Sequence, residues 1–309
     1  MKKVLVIGAR GHIGSFLVNR LVTAGWEVTA LSRSERKPYA YKKEVWDNVR
    51  SVFMPREKLA ETDFIEQEGF DAVCDLMCFT PEECERMVAK LKRNEFYLQL
   101  GSLWTYENKQ YLPVGEEHPK NSTEKYGRDK GLVENYVLSL CESGRLAGAV
   151  VHPGHISSGE WMPINPQGNL DKAVFDKIKR GDKVELPFLG LETLQHVHAK
   201  DLAEVIAACI EQQDKANGQA FISVAERAMT LRAITENLFK YFGYEPNIEY
   251  LEWDKFTAAV GENNAALTLD HVSHSPCATP AKALKILGVK HNISIMDIYK
   301  EYLNGAYLA

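Results

Sequence analysis

The chain has 309 residues, of which 45% are hydrophobic and 26% charged, so it can bury a core in one large or two modest domains. Its 37 basic and 42 acidic residues give a formal charge of −5 without a dense basic block, which argues against nucleic acid as the main partner. No apolar run approaches a membrane span, and the N-terminus does not read as a signal peptide, so we expect a cytoplasmic protein without membrane attachment.

The N-terminal segment predicts a strand, a glycine turn and a helix. A β-branched run over residues 2–7 is typical of a buried parallel strand, and apolar residues then recur at helical spacing. Glycines in such a turn admit a pyrophosphate, and the helix N-terminus offers it N–H donors. We predict a dinucleotide-binding turn made of Gly8, Arg10, Gly11, His12, Ile13 and Gly14. The alternative is a turn that binds nothing, since its first two glycines are one residue further apart than in the commonest fingerprint.

Strand and helix signals continue to alternate through the first half of the chain. Strands are predicted over residues 27–32, 51–53, 71–76, 96–100 and 146–152, and helices over 58–68, 81–93 and 126–141. Repeated units of this length predict an α/β fold with a Rossmann-type, doubly wound parallel sheet. Because ligands of such sheets bind at the carboxyl ends of strands, we place Ser32, Asp75, Leu76 and Pro153 beside the dinucleotide.

The second half reads as the substrate side of the protein. Proline and glycine recur through residues 152–169, which predicts a pocket-lining loop that contains His155 and Trp161. Helices are predicted over residues 172–180, 201–212, 230–242, 281–287 and 295–303, extended segments over 183–188 and 220–224, and a loop at His271 and His274. We expect residues 1–155 to form the cofactor domain, with 194–225 returning to it, and residues 156–193 and 226–309 to bind substrate.

The cysteines and histidines do not have the spacing of metal ligands. Six cysteines are scattered along the chain, and His152 and His155 have no carboxylate or cysteine partner at a matching interval. We therefore expect reduced core thiols and no metal site.

Tyr126 and Lys130 are one helical turn apart, so both side chains share a helix face. A free phenol titrates near pH 10, and a neighbouring ammonium lowers that pKa by stabilising the phenolate. The pair is suited to acid/base chemistry near neutrality, although the same spacing also occurs in ordinary surface pairs.

Taken together, the glycine turn, Gly101-Ser102, the Tyr126/Lys130 pair and the segment over residues 195–203 resemble the extended short-chain dehydrogenase/reductase superfamily. Within it, the chain is similar to the NAD(P)-dependent epimerase/dehydratase family, as a divergent member. The resemblance implies a Rossmann-type domain with a smaller, mostly C-terminal substrate domain. It also implies hydride transfer at a hydroxyl- or carbonyl-bearing carbon of a small, sugar-like substrate.

The resemblance also assigns roles to individual residues. Tyr126 becomes the acid/base, Lys130 binds the nicotinamide ribose and lowers the pKa of the tyrosine, and Ser102 holds the reacting oxygen. The residues expected at the substrate are Ser102, Trp104, His155 and Trp161. The alternative is a module that keeps the fold and the cofactor but binds RNA or a protein partner. A homodimer is the default expectation for the assembly.

The end of the second strand favours NADP over NAD. An acidic residue there would hold the adenosine ribose of NAD, whereas this chain has Ser32 followed by Arg33. A guanidinium binds a 2′-phosphate by charge-assisted hydrogen bonds, and Arg10 and Arg36 add positive charge. Use of either cofactor is the alternative.

The chain departs from the family pattern in two segments. Asp75 and Leu76 replace the usual small, neutral turn after the fourth strand and bring a carboxylate toward the expected path of the cofactor. Leu194 stands where sugar-nucleotide epimerases carry an arginine that grips the substrate diphosphate. The second departure argues against a UDP- or GDP-sugar substrate.

Overall fold

The computed structural model describes residues 1–92, 94–107, 111–274 and 276–305. The strands are β1 (Lys3–Ile7), β2 (Glu27–Ser32), β3 (Arg50–Phe53), β4 (Ala72–Asp75), β5 (Phe96–Leu100), β6 (Ala147–Pro153), β7 (His155–Ser157), β8 (Val184–Pro187), β9 (Thr193–Leu194), β10 (His196–His198), β11 (Gln219–Ser223), β12 (Met229–Thr230) and β13 (Ile248–Leu251). The helices are α1 (His12–Thr23), α2 (Lys43–Trp46), α3 (Arg56–Leu59), α4 (Phe64–Glu68), α5 (Pro81–Val88), α6 (Lys125–Glu142), α7 (Ala173–Lys179), α8 (Ala199–Glu211), α9 (Gln213–Ala216), α10 (Leu231–Tyr241), α11 (Trp253–Val260), α12 (Glu262–Ser273), α13 (Ala281–Leu287) and α14 (Ile295–Asn304). A short 3₁₀ helix spans Leu103–Thr105.

The chain divides into two compact units. The first contains Met1–Pro153, Ala199–Ser223 and Thr279–His291, and the second contains Gly154–His198, Val224–Ala278 and the chain from Asn292 on. The first boundary falls two residues before the expected one. The return of Thr279–His291 to the first unit was not anticipated from the sequence.

A seven-stranded parallel sheet forms the centre of the first unit, in the order β11-β6-β5-β4-β1-β2-β3. This confirms the predicted Rossmann-type, doubly wound α/β fold. The strand order reverses between β1 and β4, whose ends Ile7 and Asp75 are paired in register. Ligands of open parallel sheets bind at such a reversal. The glycine turn directly after Ile7 therefore lies where the fold favours a ligand.

The apolar runs of the central strands are buried on both faces. The β1 residues from Val4 to Ile7 are at most 1% exposed, and all of β5 is buried. Helices cover both sides, as a parallel sheet requires, and each fully buried leucine or valine contributes roughly 1.5–3 kcal/mol. This rigid sheet holds its strand ends in fixed positions.

Two helix predictions in the first unit need correction. The predicted helix over 58–68 is two short helices, α3 and α4, because the Thr62 hydroxyl donates to the Leu59 carbonyl and turns the chain between them. The predicted helix over 81–93 ends at Val88, where Lys90 and Leu91 form tight turns by donating to Met87 and Val88. Its predicted last residue, Arg93, lies outside the described residues.

The second unit consists of helices and three two-stranded sheets, β10-β7, β12-β9 and β13-β8. Its core includes Phe175, Leu186, Phe239 and Tyr299. The loop predicted around His271 is wrong, because α12 runs to Ser273 and buries Ala265, Thr268, His271 and Val272 at helical spacing. His274 caps this helix. Among the described residues, no helix combines the length and apolarity that crossing a bilayer requires.

Candidate functional site

The glycine turn connects β1 to α1. Gly8 has φ +86°, and its N–H donates to the Leu31 carbonyl at 2.9 Å. A Cβ atom on Gly14 would lie 2.3 Å from the Gly8 carbonyl oxygen, so only glycine fits there. Helix α1 begins at His12 without a side-chain cap. Its first N–H groups and the compact turn together make an arrangement suited to an anionic ligand.

A cavity of about 330 Å³ opens beside this turn, within the first unit. The ends of β1, β2 and β3 and the segment after β4 surround it. Four arginines and two glutamates are among its lining residues, together with parts of the turn: Ile7, Gly8, Arg10, Gly11, Leu31, Ser32, Arg33, Ser34, Arg36, Met54, Arg56, Glu57, Met77, Phe79 and Glu83. The lining thus includes five predicted cofactor residues, Gly8, Arg10, Gly11, Ser32 and Arg33. It does not include His12, Ile13, Gly14 or Leu76.

The arginines at this cavity are held in different ways. Arg10 donates to the Arg36 carbonyl at 2.6 Å and to the Ser51 hydroxyl at 3.0 Å, and it lies over the rings of Trp46 and Phe53. Arg36 and Arg33 are exposed. Ser32, at the end of β2, donates to the Ser34 carbonyl at 3.2 Å. The cavity edge therefore carries concentrated positive charge where an NAD-preferring site would have a carboxylate.

Asp75 does not present a free carboxylate at the end of β4, which corrects the expectation of a charge beside the cofactor path. It is fully buried, and Arg56 donates to it through Nη2 at 2.6 Å and Nε at 2.9 Å. The Tyr97 hydroxyl donates to the same carboxylate at 3.2 Å. Burial alone would lower the pKa of Arg56, but the charge of Asp75 and its hydrogen bonds raise it. Arg56 was not recognised from the sequence, since 19 residues separate it from its partner.

Tyr126 and Ser102 meet at the carboxyl end of the same sheet. Tyr126 lies in the first turn of α6 and is 42% exposed, with the Trp104 ring edge-on at 5.9 Å. Ser102 precedes the 3₁₀ helix, and its hydroxyl accepts from the Trp104 N–H at 3.2 Å. Partial burial raises the pKa of Tyr126, while the nearby Ser102 hydroxyl opposes that rise. The structure thus brings together three of the residues predicted at the reacting end.

Lys130 lies one turn further along α6, and its ammonium is almost completely buried. Its Nζ donates to the carbonyls of Cys78 and Leu100, both at 2.7 Å. The Nζ atom is 5.9 Å from the centre of the Tyr126 ring. Burial lowers the pKa of Lys130 to about 8. We expected Lys130 to lower the pKa of Tyr126, but that pKa is raised. The ammonium of Lys130 is directed at the two carbonyls and not at the phenol.

A second polar group, which the sequence analysis missed, lies behind Ser102 within the first unit. His152 is fully buried, and its Nδ1 lies 3.0 Å from the backbone N of Ser102. Its Nε2 lies 3.0 Å from Glu134, which also pairs with Lys120 at 3.2 Å. A signal in the sequence was available, because Glu134 lies one helical turn after Lys130 and so shares its face of α6. Pro153, the next residue of β6, is also buried.

The two remaining predicted residues belong to the second unit. His155 lies on β7, with the rings of His196 and His271 at 5.1 and 5.9 Å. Burial, followed by the charge of His271, lowers the pKa of His155 to about 3. Trp161 is half-buried, and its backbone N–H donates to the Ser158 carbonyl at 2.9 Å. Within the part of the chain that the structure describes, no group of three or more histidine, cysteine or carboxylate side chains is arranged to hold a metal.

Leu194 is 1% exposed and belongs to the core of the second unit. Its neighbour Gln195 donates to the carbonyls of Ala225 and Ala278 at 2.8 and 3.0 Å. Neither side chain offers a positive charge. The segment before β10 therefore has a structural role in this unit.

Comparison with known proteins gives a consistent family match. The model of the NAD dependent epimerase/dehydratase family matches residues 4–225. The chain is 26% identical to the chloroplast stem-loop binding protein of 41 kDa b from Arabidopsis thaliana, over 82% of this chain and 67% of that protein. It is 29% identical to UDP-glucose 4-epimerase from Drosophila melanogaster, over 65% of this chain and 70% of that protein.

Solved structures share the fold at lower identity. The dTDP-glucose 4,6-dehydratase of Bacillus anthracis, in complex with NAD, superposes with a TM-score of 0.72 at 15% identity, covering 99% of this chain and 96% of that one. The UDP-glucuronic acid 4-epimerase of Bacillus cereus, in complex with UDP-glucuronic acid and NAD, gives a TM-score of 0.70 at 14% identity, covering 98% of both chains.

Proposed function

Because the chain belongs to the NAD dependent epimerase/dehydratase family, we propose that it is a nicotinamide-dependent enzyme of the extended short-chain dehydrogenase/reductase type. The reaction is a hydride transfer at a hydroxyl- or carbonyl-bearing carbon of a small, sugar-like substrate. The observation that carries this proposal is the placement of Tyr126 near Ser102: the Tyr126 ring packs edge-on against Trp104, and the Trp104 N–H donates to the Ser102 hydroxyl shortly after the end of β5. Fold alone would not carry it, since the same fold hosts unrelated functions.

The proposed chemistry divides between the cofactor and the chain. A bound nicotinamide supplies the hydride chemistry. The raised pKa of Tyr126 keeps its hydroxyl protonated at neutral pH in the free protein, so it can donate a proton to a carbonyl oxygen as hydride reaches the carbon. In the opposite direction the phenolate accepts the hydroxyl proton. Ser102 is proposed to hydrogen-bond the reacting oxygen, which stabilises the charge that develops there.

The cofactor proposed from the cavity is NADP in preference to NAD. The support is the cavity edge after β2, where Ser32 and the exposed Arg33 stand in place of a carboxylate and Arg36 adds a further guanidinium. Gly8, Gly11 and Gly14 are proposed to contact the pyrophosphate. Lys130 is proposed to bind the nicotinamide ribose, which requires its ammonium to give up at least part of its contact with Cys78 and Leu100.

The proposed substrate is a sugar-like molecule that does not require an arginine at position 194 to bind a diphosphate group. The support is the buried Leu194 and the neutral Gln195 next to it. Trp104, His155 and Trp161 are proposed to contact the substrate. The second unit as a whole is proposed to be the substrate-binding domain, and a homodimer is the proposed assembly.

The test is turnover by the Tyr126→Phe variant, using a panel of sugars and sugar nucleotides with either dinucleotide and following absorbance at the reduced-nicotinamide band. Removing a positioned acid/base lowers kcat by roughly 10²- to 10⁴-fold. Tyr136→Phe is the matched control, because Tyr136 lies on the same helix and is partly buried in the apolar core. Equal turnover by wild type and Tyr126→Phe contradicts the proposed role.

A second candidate function is suggested by one relative. The protein named as a stem-loop binding protein matches 82% of this chain, so a cofactor-binding module that acts on RNA or a protein partner is the alternative. The formal charge of −5 disfavours RNA. Binding of a stem-loop RNA that weakens steeply with salt, in a protein without turnover on the panel, favours this alternative.

A further inference from the structure

The buried histidine behind Ser102 takes no part in the chemistry proposed above. His152 is fully buried near the end of β6, and the ring of Tyr106 packs edge-on against it at 5.6 Å. The neighbouring backbone is shaped around the imidazole. A Cβ atom on Gly101 would lie 2.3 Å from Nδ1 and 2.5 Å from Cε1, so only glycine permits this approach. The residue before Ser102 is therefore adapted to the imidazole.

The hydrogen bonds of Ser102 define what His152 does. Nδ1 lies 3.0 Å from both the backbone N and the carbonyl O of Ser102. The carbonyl already accepts from the Thr105 N–H at 3.3 Å and from the Thr105 hydroxyl at 3.1 Å, which fills its two lone pairs. The Ser102 N–H has Nδ1 as its acceptor. Since an unsatisfied buried N–H is costly, Nδ1 must carry a lone pair.

The other ring nitrogen faces a carboxylate. Nε2 lies 3.0 Å from Oε2 of Glu134, which is 1% exposed, and Nζ of Lys120 lies 3.2 Å from Oε1. Burial alone would raise the pKa of Glu134, but its contacts with His152 and Lys120 lower it. Glu134 and Lys120 balance each other's charge, so a neutral imidazole with its hydrogen on Nε2, 3.0 Å from Oε2 of Glu134, completes a group of three side chains without net charge.

We propose that His152, as the neutral Nε2–H tautomer facing Glu134, is a positioning residue that fixes the backbone of Ser102 and so aligns its hydroxyl with Tyr126. The proposal rests on the proposed function, because it concerns the alignment of Ser102 at the reacting oxygen. Protonation of the imidazole puts an N–H on Nδ1 opposite the N–H of Ser102. The contact then becomes repulsive, and the serine loses its support.

Other charged and titratable groups surround this network. Glu134 faces it from α6, and Tyr106 and Lys120 face it from the connection before α6. Lys282 of α13 interacts electrostatically with Glu116, Lys120, Glu134 and Glu117. Lys120 lies at the solvent side of this network, since its side chain is 19% exposed. The side chains of His152 and Glu134 are, by comparison, 0% and 1% exposed.

Two substitutions of His152 distinguish the roles of its two ring nitrogens. In His152→Asn the amide oxygen occupies the position of Nδ1 and still accepts from Ser102, whereas in His152→Gln the amide reaches toward Glu134 and leaves Ser102 without its acceptor. We expect His152→Asn to retain kcat within about 3-fold and His152→Gln to lose about 10- to 100-fold, the effect of a misplaced reacting group.

The tautomer is measured independently of turnover. Long-range ¹H–¹⁵N correlation on histidine-labelled wild type at pH 8 should show an Nε2–H pattern for His152, assigned by its absence in either variant; thermal melts check that the variants fold. An Nδ1–H tautomer, or equal loss of kcat in the two folded variants, overturns the proposal. If the Nε2–H pattern is present but wild type turns over nothing on the panel, the proposed function fails and the positioning of Ser102 stands as a structural finding.

Discussion

At the scale of single residues, the four arginines at the cavity beside the glycine turn differ in how tightly they are held. Arg10 is fixed by two hydrogen bonds and two aromatic rings, and Arg56 is committed to Asp75. Arg33 is exposed and directly follows Ser32 at the end of β2. Arg33 is therefore the guanidinium best able to meet a 2′-phosphate without breaking an existing structure.

Replacement of Arg33 by alanine should weaken NADP binding and leave NAD binding nearly unchanged. A charge-assisted hydrogen bond contributes about 1.5–3 kcal/mol, so the Kd of NADP should rise by roughly 10- to 100-fold, as measured by isothermal titration calorimetry. Arg86→Ala is the control, since Arg86 is an exposed arginine in the last turn of α5. An equal loss of affinity for both dinucleotides would count against Arg33 as the residue that selects NADP.

At the scale of elements, the Arg56–Asp75 pair ties α3 to the end of β4. Both side chains are nearly or completely removed from solvent. Breaking a buried pair from one side leaves an uncompensated charge and costs about 3–5 kcal/mol. Arg56→Met should therefore lower the free energy of unfolding by that amount in urea titrations. It should also loosen the turn after β4, where Met77 N–H donates to Asp75 at 3.0 Å.

The matched control for this pair is Arg50→Met. Arg50 pairs with Glu68 at 2.5 Å, but the arginine side chain is 53% exposed, and such pairs contribute about 0–1 kcal/mol. A similar loss of stability in Arg50→Met and Arg56→Met would mean that burial does not decide the strength of the Arg56 pair.

The elements also show how far the sequence alone could lead. The sheet, the glycine turn and helix α6 were predictable, because buried parallel strands and one-turn spacings are local patterns. The side-chain contacts that complete the site could not be predicted. Arg56 lies 19 residues from Asp75, and His152 lies 18 residues from Glu134, so both contacts arise only when separate strands and helices pack together. Spacing likewise placed Lys130 beside Tyr126 but did not reveal the two carbonyls that hold its ammonium.

At the scale of the whole molecule, buried neutral histidines occur in both units. Burial, and in each case a neighbouring charge, lowers the pKa of His155 to about 3 and that of His12 to about 4. Burial alone lowers that of His291 to about 4. His12 and His291 belong to the first unit and His155 to the second. Both units therefore carry groups that bind a proton more readily when the chain is unfolded.

These shifts determine the direction of the pH dependence of stability. Histidine in the unfolded chain titrates near pH 6.5, so between about pH 6.5 and pH 4 the unfolded state binds more protons than the folded one. Stability should therefore fall as the pH drops through this window, by at most about 1.4 kcal/mol per pH unit for each such histidine. Glu134, whose pKa is lowered, loses its contribution only at more acidic pH. Over the upper part of the window the histidines should therefore dominate.

Calorimetric unfolding at pH 8, 7, 6 and 5 measures this dependence, with His155→Gln as the informative variant. Glutamine does not titrate, so the variant should lose less stability than wild type between pH 7 and pH 5, even if its Tm at pH 8 is lower. His118→Gln is the control, a buried histidine that contacts the local backbone, the Tyr111 ring and the Glu117 carboxylate. A wild-type Tm that is constant or rises toward pH 5 is incompatible with the burial of neutral imidazoles as the source of acid sensitivity.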